Sequence, residues 1–100
     1  MNSKLQSEHT DALADAFLTL KTREEVYSFF EDLCTIAELK AMSQRFYVAK
    51  MLDKKTPYSD IVKETGVSTA TISRVNRALN YGADGYRIIL ERMKSSEDEE

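Results

Sequence analysis

One hundred residues with a formal charge of –3 and a single cysteine describe one small domain without an intrachain disulfide framework. No apolar run approaches the roughly 18 residues that a membrane-spanning helix needs. The opening Met1 to Ser7 carries no signal-type hydrophobic stretch, so a reducing, cytoplasmic location is expected.

The elements follow in chain order, and all are helical. The first helix runs from about Ser7 to Leu20, with Leu13, Phe17 and Leu20 on one stripe. Thr22-Arg-Glu-Glu25 reads as a capping box opening a second helix that ends near Leu33, its apolar side being Val26, Phe29, Phe30 and Leu33. Thr35-Ile-Ala-Glu38 is another capping box and opens a long third helix to about Leu52. Its expected inward set is Leu39, Met42, Phe46, Ala49 and Leu52. Asp53 to Thr56 is a loop. A fourth helix follows, with Pro57 in its first turn, Thr56 as cap and Ile61 facing inward. Gly66 stops it, because glycine enters the left-handed conformation cheaply. Ser68 caps a fifth helix whose buried side is Ile72, Val75 and Leu79, and Gly82 ends it. Asp84 caps a sixth helix carrying Ile88, Ile89, Leu90 and Met93, and Ser95 to Glu100 is a solvated acidic tail. The expected organisation is one domain over residues 1–94, with the tail at 95–100.

The fourth and fifth helices, residues 57–80, have the layout of a helix-turn-helix, which inserts its second helix into the DNA major groove. An ordinary αα-hairpin is the competing reading. Two positions depart from the common pattern: Val62 replaces a small residue between the helices, and Thr65 an apolar one. The overall charge is acidic, but its distribution is not. Residues 35–79 carry eight basic and four acidic side chains, while residues 1–34 carry three and seven, and residues 80–100 three and six. A local basic face matters more for phosphate binding than the total.

The readout follows from side-chain chemistry. Ser68, Thr69, Ala70 and Thr71, with Ser73 behind them, are the outward residues of the fifth helix. None offers the bidentate fork that reads guanine or adenine directly, so water-bridged contacts and touches to thymine methyl groups are expected. Lys54, Lys55, Lys63, Asn76 and Arg77 are candidates for phosphate contact. Catalysis has little to stand on. His9 is the only histidine and lies near one end, Cys34 lacks an activating partner in sequence, and Glu24-Glu25 and Glu31-Asp32 read as capping and surface charge. No metal site is indicated.

The run Thr35-Ile-Ala-Glu-Leu-Lys-Ala-Met-Ser-Gln-Arg45-Phe-Tyr-Val-Ala-Lys-Met-Leu52, continued by Ala70-Thr-Ile-Ser-Arg74 and a short last helix, resembles the Trp repressor family in its small Trp-repressor-like branch. The resemblance spans roughly residues 33–93. It implies an all-α, six-helix, intertwined homodimer that presents two reading heads about one DNA turn apart. It also implies a sequence-specific transcriptional regulator, a repressor, on a pseudo-palindromic operator in double-stranded DNA. In that family tryptophan lies between two arginines, and Arg45 and Arg74 stand at the matching positions. Thr35 matches a position near the ligand's amino group, and Val75 stands where a glycine lies beside the indole. Ala78, Asp32 and Cys34 also depart from residues around that pocket. These departures disfavour tryptophan and point to another small effector or to none. Ser59 and Val62 stand where the family has basic residues, which keeps open an alternative: a protein-interaction module that retains the fold without DNA binding.

Overall fold

The structure is a computed structural model that describes residues 3–98, the side chain of Asp98 excepted. After a 3-10 turn at Ser3–Leu5 come six helices: α1 Glu8–Thr19, α2 Arg23–Leu33, α3 Ile36–Asp53, α4 Tyr58–Thr65, α5 Thr69–Tyr81 and α6 Gly85–Asp98. No strand occurs among the described residues. No helix is long and apolar enough to cross a membrane. The chain divides into two compact units, residues 1–39 and 40–100.

In the first unit, local signals fix the helix starts. Ser7 Oγ accepts from the backbone N–H of Thr10 at 3.0 Å, and Thr22 Oγ1 from that of Glu25 at 3.1 Å. The Thr22 box is shifted by one residue, since Glu25 Oε1 takes the N–H of Lys21 (2.9 Å) rather than that of Thr22. The Thr35 box is fully reciprocal: Thr35 N–H donates to Glu38 Oε1 at 2.9 Å, and Glu38 N–H to Thr35 Oγ1 at 3.1 Å. The hydrogen bond from the Thr35 backbone holds the Glu38 carboxyl below its ordinary range. Phe17 packs edge-on against Phe29 with ring centroids 5.1 Å apart, and Phe30 lies between Phe17 and Tyr27. Yet neither α1 nor α2 contains a buried residue. Leu18, Tyr27 and Ile36 are among the large apolar side chains left exposed, Ile36 to 89%.

The second unit holds the core. Val48, Ala49, Met51 and Leu52 of α3, Ile61 of α4, Val67 of the turn, Ile72, Val75 and Leu79 of α5 and Leu90 of α6 are all buried. Phe46, Val62 and Tyr86 pack against them. The buried α3 residues cover a wide arc of the helix rather than the narrow stripe expected, and Met42, expected inward, is exposed. Helix α3 ends in a Schellman turn: Thr56 N–H reaches Met51 O (3.0 Å) and Lys55 N–H reaches Leu52 O (2.9 Å). Lys55 takes the left-handed position there, with φ 64°. That turn absorbs Thr56, so Pro57 and not Thr56 occupies the cap of α4, and no side chain caps it. Helix α6 continues through Ser95 to Asp98, where a solvated tail was expected; no glycine or proline intervenes to stop it. Glu99 and Glu100 lie outside the described residues.

Asp53, on the last turn of α3, is the electrostatic node of this unit. Its Oδ1 accepts from Arg87 Nη1 and its Oδ2 lies against Lys94 Nζ, both at 2.7 Å, with the Asp53 side chain only 9% exposed. The Lys94 ammonium holds the carboxyl below its ordinary range, against partial burial that pushes the other way, and Arg87 adds to the effect. A carboxyl depressed in the folded state stabilises fully above its unfolded value of about 3.9, and that stabilisation is lost as pH falls through the folded value. Because both cations remain well solvated, Asp53→Asn is expected to cost about 1–2 kcal/mol at pH 7. The gap between the two proteins should close as pH falls below about 4, which urea denaturation across pH measures directly.

Candidate nucleic-acid interface

The α4–turn–α5 unit is built by adjacent residues. Gly66 adopts φ 72°, ψ 6°, and its N–H closes on Val62 O. Thr65, anomalous in sequence, serves the turn: its hydroxyl donates to Ile61 O at 2.7 Å and accepts from Val67 N–H at 3.2 Å. Val67 is thereby fixed in the core. Ser68 caps α5, accepting from the backbone N–H of Thr71 (3.2 Å), and its hydroxyl lies 3.0 Å from Thr71 Oγ1. Ile61 and Ile72, both fully buried, hold the two helices together.

This packing turns the opposite face of α5 outward. Ser68, Thr69, Ala70, Ser73 and Arg77 are exposed, and Thr71 is half-buried. Lys54 and Lys55 are exposed on the loop after α3, and Lys63 on the last turn of α4. The remaining candidate, Asn76, is half-buried, and its side-chain carbonyl accepts from Asn80 Nδ2 at 2.9 Å. Its part in phosphate contact is therefore shared with a structural one. Tyr47 braces α4 from α3, its hydroxyl donating to Glu64 Oε1 at 2.9 Å. That bond to a carboxylate raises the Tyr47 pKa, since ionisation would forfeit the donated proton.

A cleft of about 310 Å³ lies beside the start of α5, lined by Arg45, Arg74, Gln44, Gly66, Ser68 and Thr71 among others. Two of the four candidate effector residues therefore share one site. Both guanidiniums are exposed, and neither forms an ion pair among the described residues. The other two have structural places of their own. Thr35 belongs to the first unit, where it caps α3. Val75, expected beside the ligand, is 2% exposed and sits in the core, because it follows Ile72 by three residues on the same helix face. Its side chain forms no part of the cleft wall.

The sequence reading missed one constellation. Arg87 Nη2 donates to Asn80 Oδ1 at 2.9 Å while Nη1 holds Asp53, and Asn80 Nδ2 in turn donates to both oxygens of Asn76, backbone and side chain. Arg87 and Asp53 lie 34 residues apart, so no local spacing announces the pair.

The comparisons with known proteins agree with this architecture. The family model described as Trp repressor protein matches residues 8–94. The uncharacterized protein YerC of Bacillus subtilis (strain 168) is 51% identical over 96 residues, covering 96% of this chain and 92% of that protein. The crystal structure of a TrpR like protein from Eubacterium eligens ATCC 27750 superposes with a TM-score of 0.88 at 55% identity, covering 93% of this chain and 96% of that one. A further crystal structure, from Staphylococcus aureus, superposes with the same TM-score at 52% identity, over 94% and 95% of the two chains. With the helix-turn-helix geometry and a match over most of its length, this chain belongs to the Trp repressor family.

Proposed function

We propose that this member of a family of DNA-binding regulators, not enzymes, is a repressor that reads a pseudo-palindromic operator as a homodimer in the cytoplasm. One observation carries the reading: the α4–α5 packing leaves the Ser68–Arg77 face exposed, with Lys54, Lys55 and Lys63 also exposed on the same unit. Short hydroxyl side chains meet the bases, and the cations meet phosphate. The homodimer is supported by the first unit, where neither α1 nor α2 contains a buried residue within a single chain. Leu13, Phe17 and Leu33, and Ile88, Ile89 and Met93 on α6, are apolar faces that a second copy would cover. The family match across both units supports treating residues 1–94 as one domain. The cleft lined by Arg45 and Arg74 is the place for a small planar or anionic effector, since two guanidiniums on one cleft favour such a molecule there.

Selection of bound fragments from a random duplex pool, without added ligand, tests the reading. An enriched two-fold-symmetric site is the expected result. If enrichment appears only when tryptophan is added, the cleft takes the family's ligand after all. No enrichment in either condition sinks the DNA reading, and binding to a protein partner that persists at high salt would favour the interaction module instead.

The cations and hydroxyls separate in a second measurement. Arg77→Ala and Lys63→Ala are each expected to weaken binding to every duplex and to reduce the slope of log affinity against log salt by about 1. Thr71→Val should leave that slope intact and change the preferred sequence. Binding that is indifferent to all three changes would mean that this face does not touch DNA.

A further inference from the structure

Apolar packing holds α5 in the fold, but it does so without direction. Ile72, Val75 and Leu79 form a stripe on one side of the helix, which decides the face that turns inward. A bond of fixed geometry sets the rotation more sharply than that stripe alone. On the C-terminal half of α5 the bond is a single guanidinium. Arg87, reaching from α6, puts Nη1 on Asp53 of α3 at 2.7 Å and Nη2 on Asn80 of α5 at 2.9 Å. Both ends are themselves fixed. Lys94 occupies the second oxygen of Asp53, and Asn80 is oriented by its two bonds to Asn76.

The positions of these groups matter for what surrounds them. Asp53 directly precedes Lys54 and Lys55, and Asn76 directly precedes Arg77. The fork thus ties the loop that carries one set of phosphate-binding cations to the helix that carries another. A planar, rigid fork suits this role, whereas a lysine offers a single point charge. The Arg87 side chain is about a third exposed and Lys94 stays on Asp53, so part of its bonding can be replaced when it is lost. A group whose loss is partly made good in stability but frees a helix rotation acts on geometry.

We infer that Arg87 is a positioning residue for operator recognition: by bridging Asp53 and Asn80 it sets the rotation of α5 relative to the Lys54–Lys55 loop, and so governs discrimination between sequences more than affinity for DNA as such. The inference rests on the DNA-reading function proposed above. It adds that specificity depends on residues that do not themselves meet the bases.

Two variants test it in the full chain. Arg87→Lys keeps a cation beside Asp53 but lacks the second nitrogen of the fork that spans both acceptors, and Asn80→Ala removes the α5 acceptor while leaving the ion pair intact. Each is measured against the selected operator and against a scrambled duplex, across salt, with thermal unfolding alongside. The expected result is an operator affinity lower by about tenfold, a size comparable to one mismatched base pair. Scrambled-duplex affinity and salt slope should stay unchanged, because the number of phosphate-binding cations is unchanged. Amide exchange in the DNA-free protein gives a second readout: the N–H groups of residues 76–81 should exchange faster in Asn80→Ala, with the start of α5 unaffected. Equal losses on both duplexes, or none on either, would overturn the inference while the DNA reading stands. A wild-type protein that does not distinguish the two duplexes would overturn both.

Discussion

Ile72→Ala should remove about 2–5 kcal/mol of folding stability, the range for emptying a buried isoleucine position. Ile72 is fully buried and lies on α5 in one cluster with Ile61, Val67 and Val75. That cluster numbers ten buried residues among those described, and small chains bury a smaller fraction of their surface than large ones. Against a typical total of about 5–15 kcal/mol, a single cavity here is a large fraction of the whole. Ile72→Val should cost only about 0.5–1.5 kcal/mol, since the branched stem remains and a single methyl is lost. Urea denaturation followed by helical circular dichroism measures both, with the midpoint shifting and the slope constant. Protein concentration must be held equal, because the stability of the proposed homodimer would depend on it. An alanine variant within about 0.5 kcal/mol of wild type would mean that α5 does not pack through this face.

What could be read from the chain was the part decided locally. Ser7, Thr22, Thr35 and Ser68 each bond the N–H three residues on, so four helix starts were written in four short strings of residues. The inward face of α5 was equally plain, because Ile72, Val75 and Leu79 recur at helical spacing. The reading ran out where a distant or neighbouring element competes for the same residue. Thr56 was expected to cap α4 but is spent on the Schellman turn that ends α3. Asn76, a candidate for phosphate contact, is also bonded to Asn80, which is itself held by an arginine of another helix. Val75 was assigned to the effector cleft by resemblance, although its own periodicity with Ile72 put it in the core. Arg45 and Arg74 do line one cleft, yet their sequence separation carries no physical signal of that, and only the family likeness brought them together. The apolar stripes of α1 and α2 were legible as faces, but a stripe does not say what will cover it.

Glycine provides the sharpest contrast between a rule and its physical reason. Gly66 and Gly82 were both expected to end helices, and both do. Only Gly66 is left-handed, and a Cβ added there would meet nothing within 4 Å. Gly66→Asn should therefore cost well under about 1 kcal/mol, because asparagine tolerates that conformation. Gly82 has φ –91°, open to any residue, but the path of the last turn of α5 places its Cβ position 2.3 Å from the Ala78 carbonyl oxygen. The obstacle is backbone, held in place by the bond that the Gly82 N–H makes to that same oxygen at 3.0 Å. A methyl can be accommodated only by moving the last turn of α5 or breaking its cap. Gly82→Ala is thus expected to cost about 2–3 kcal/mol, the upper part of the range for overpacking. The strain would fall two residues from Asn80, so the C-terminal amides of α5 should also lose exchange protection first. Denaturation midpoints of the two variants, compared at equal concentration, test the contrast. A Gly82→Ala protein as stable as Gly66→Asn would mean that α5 ends in a looser turn than the one described.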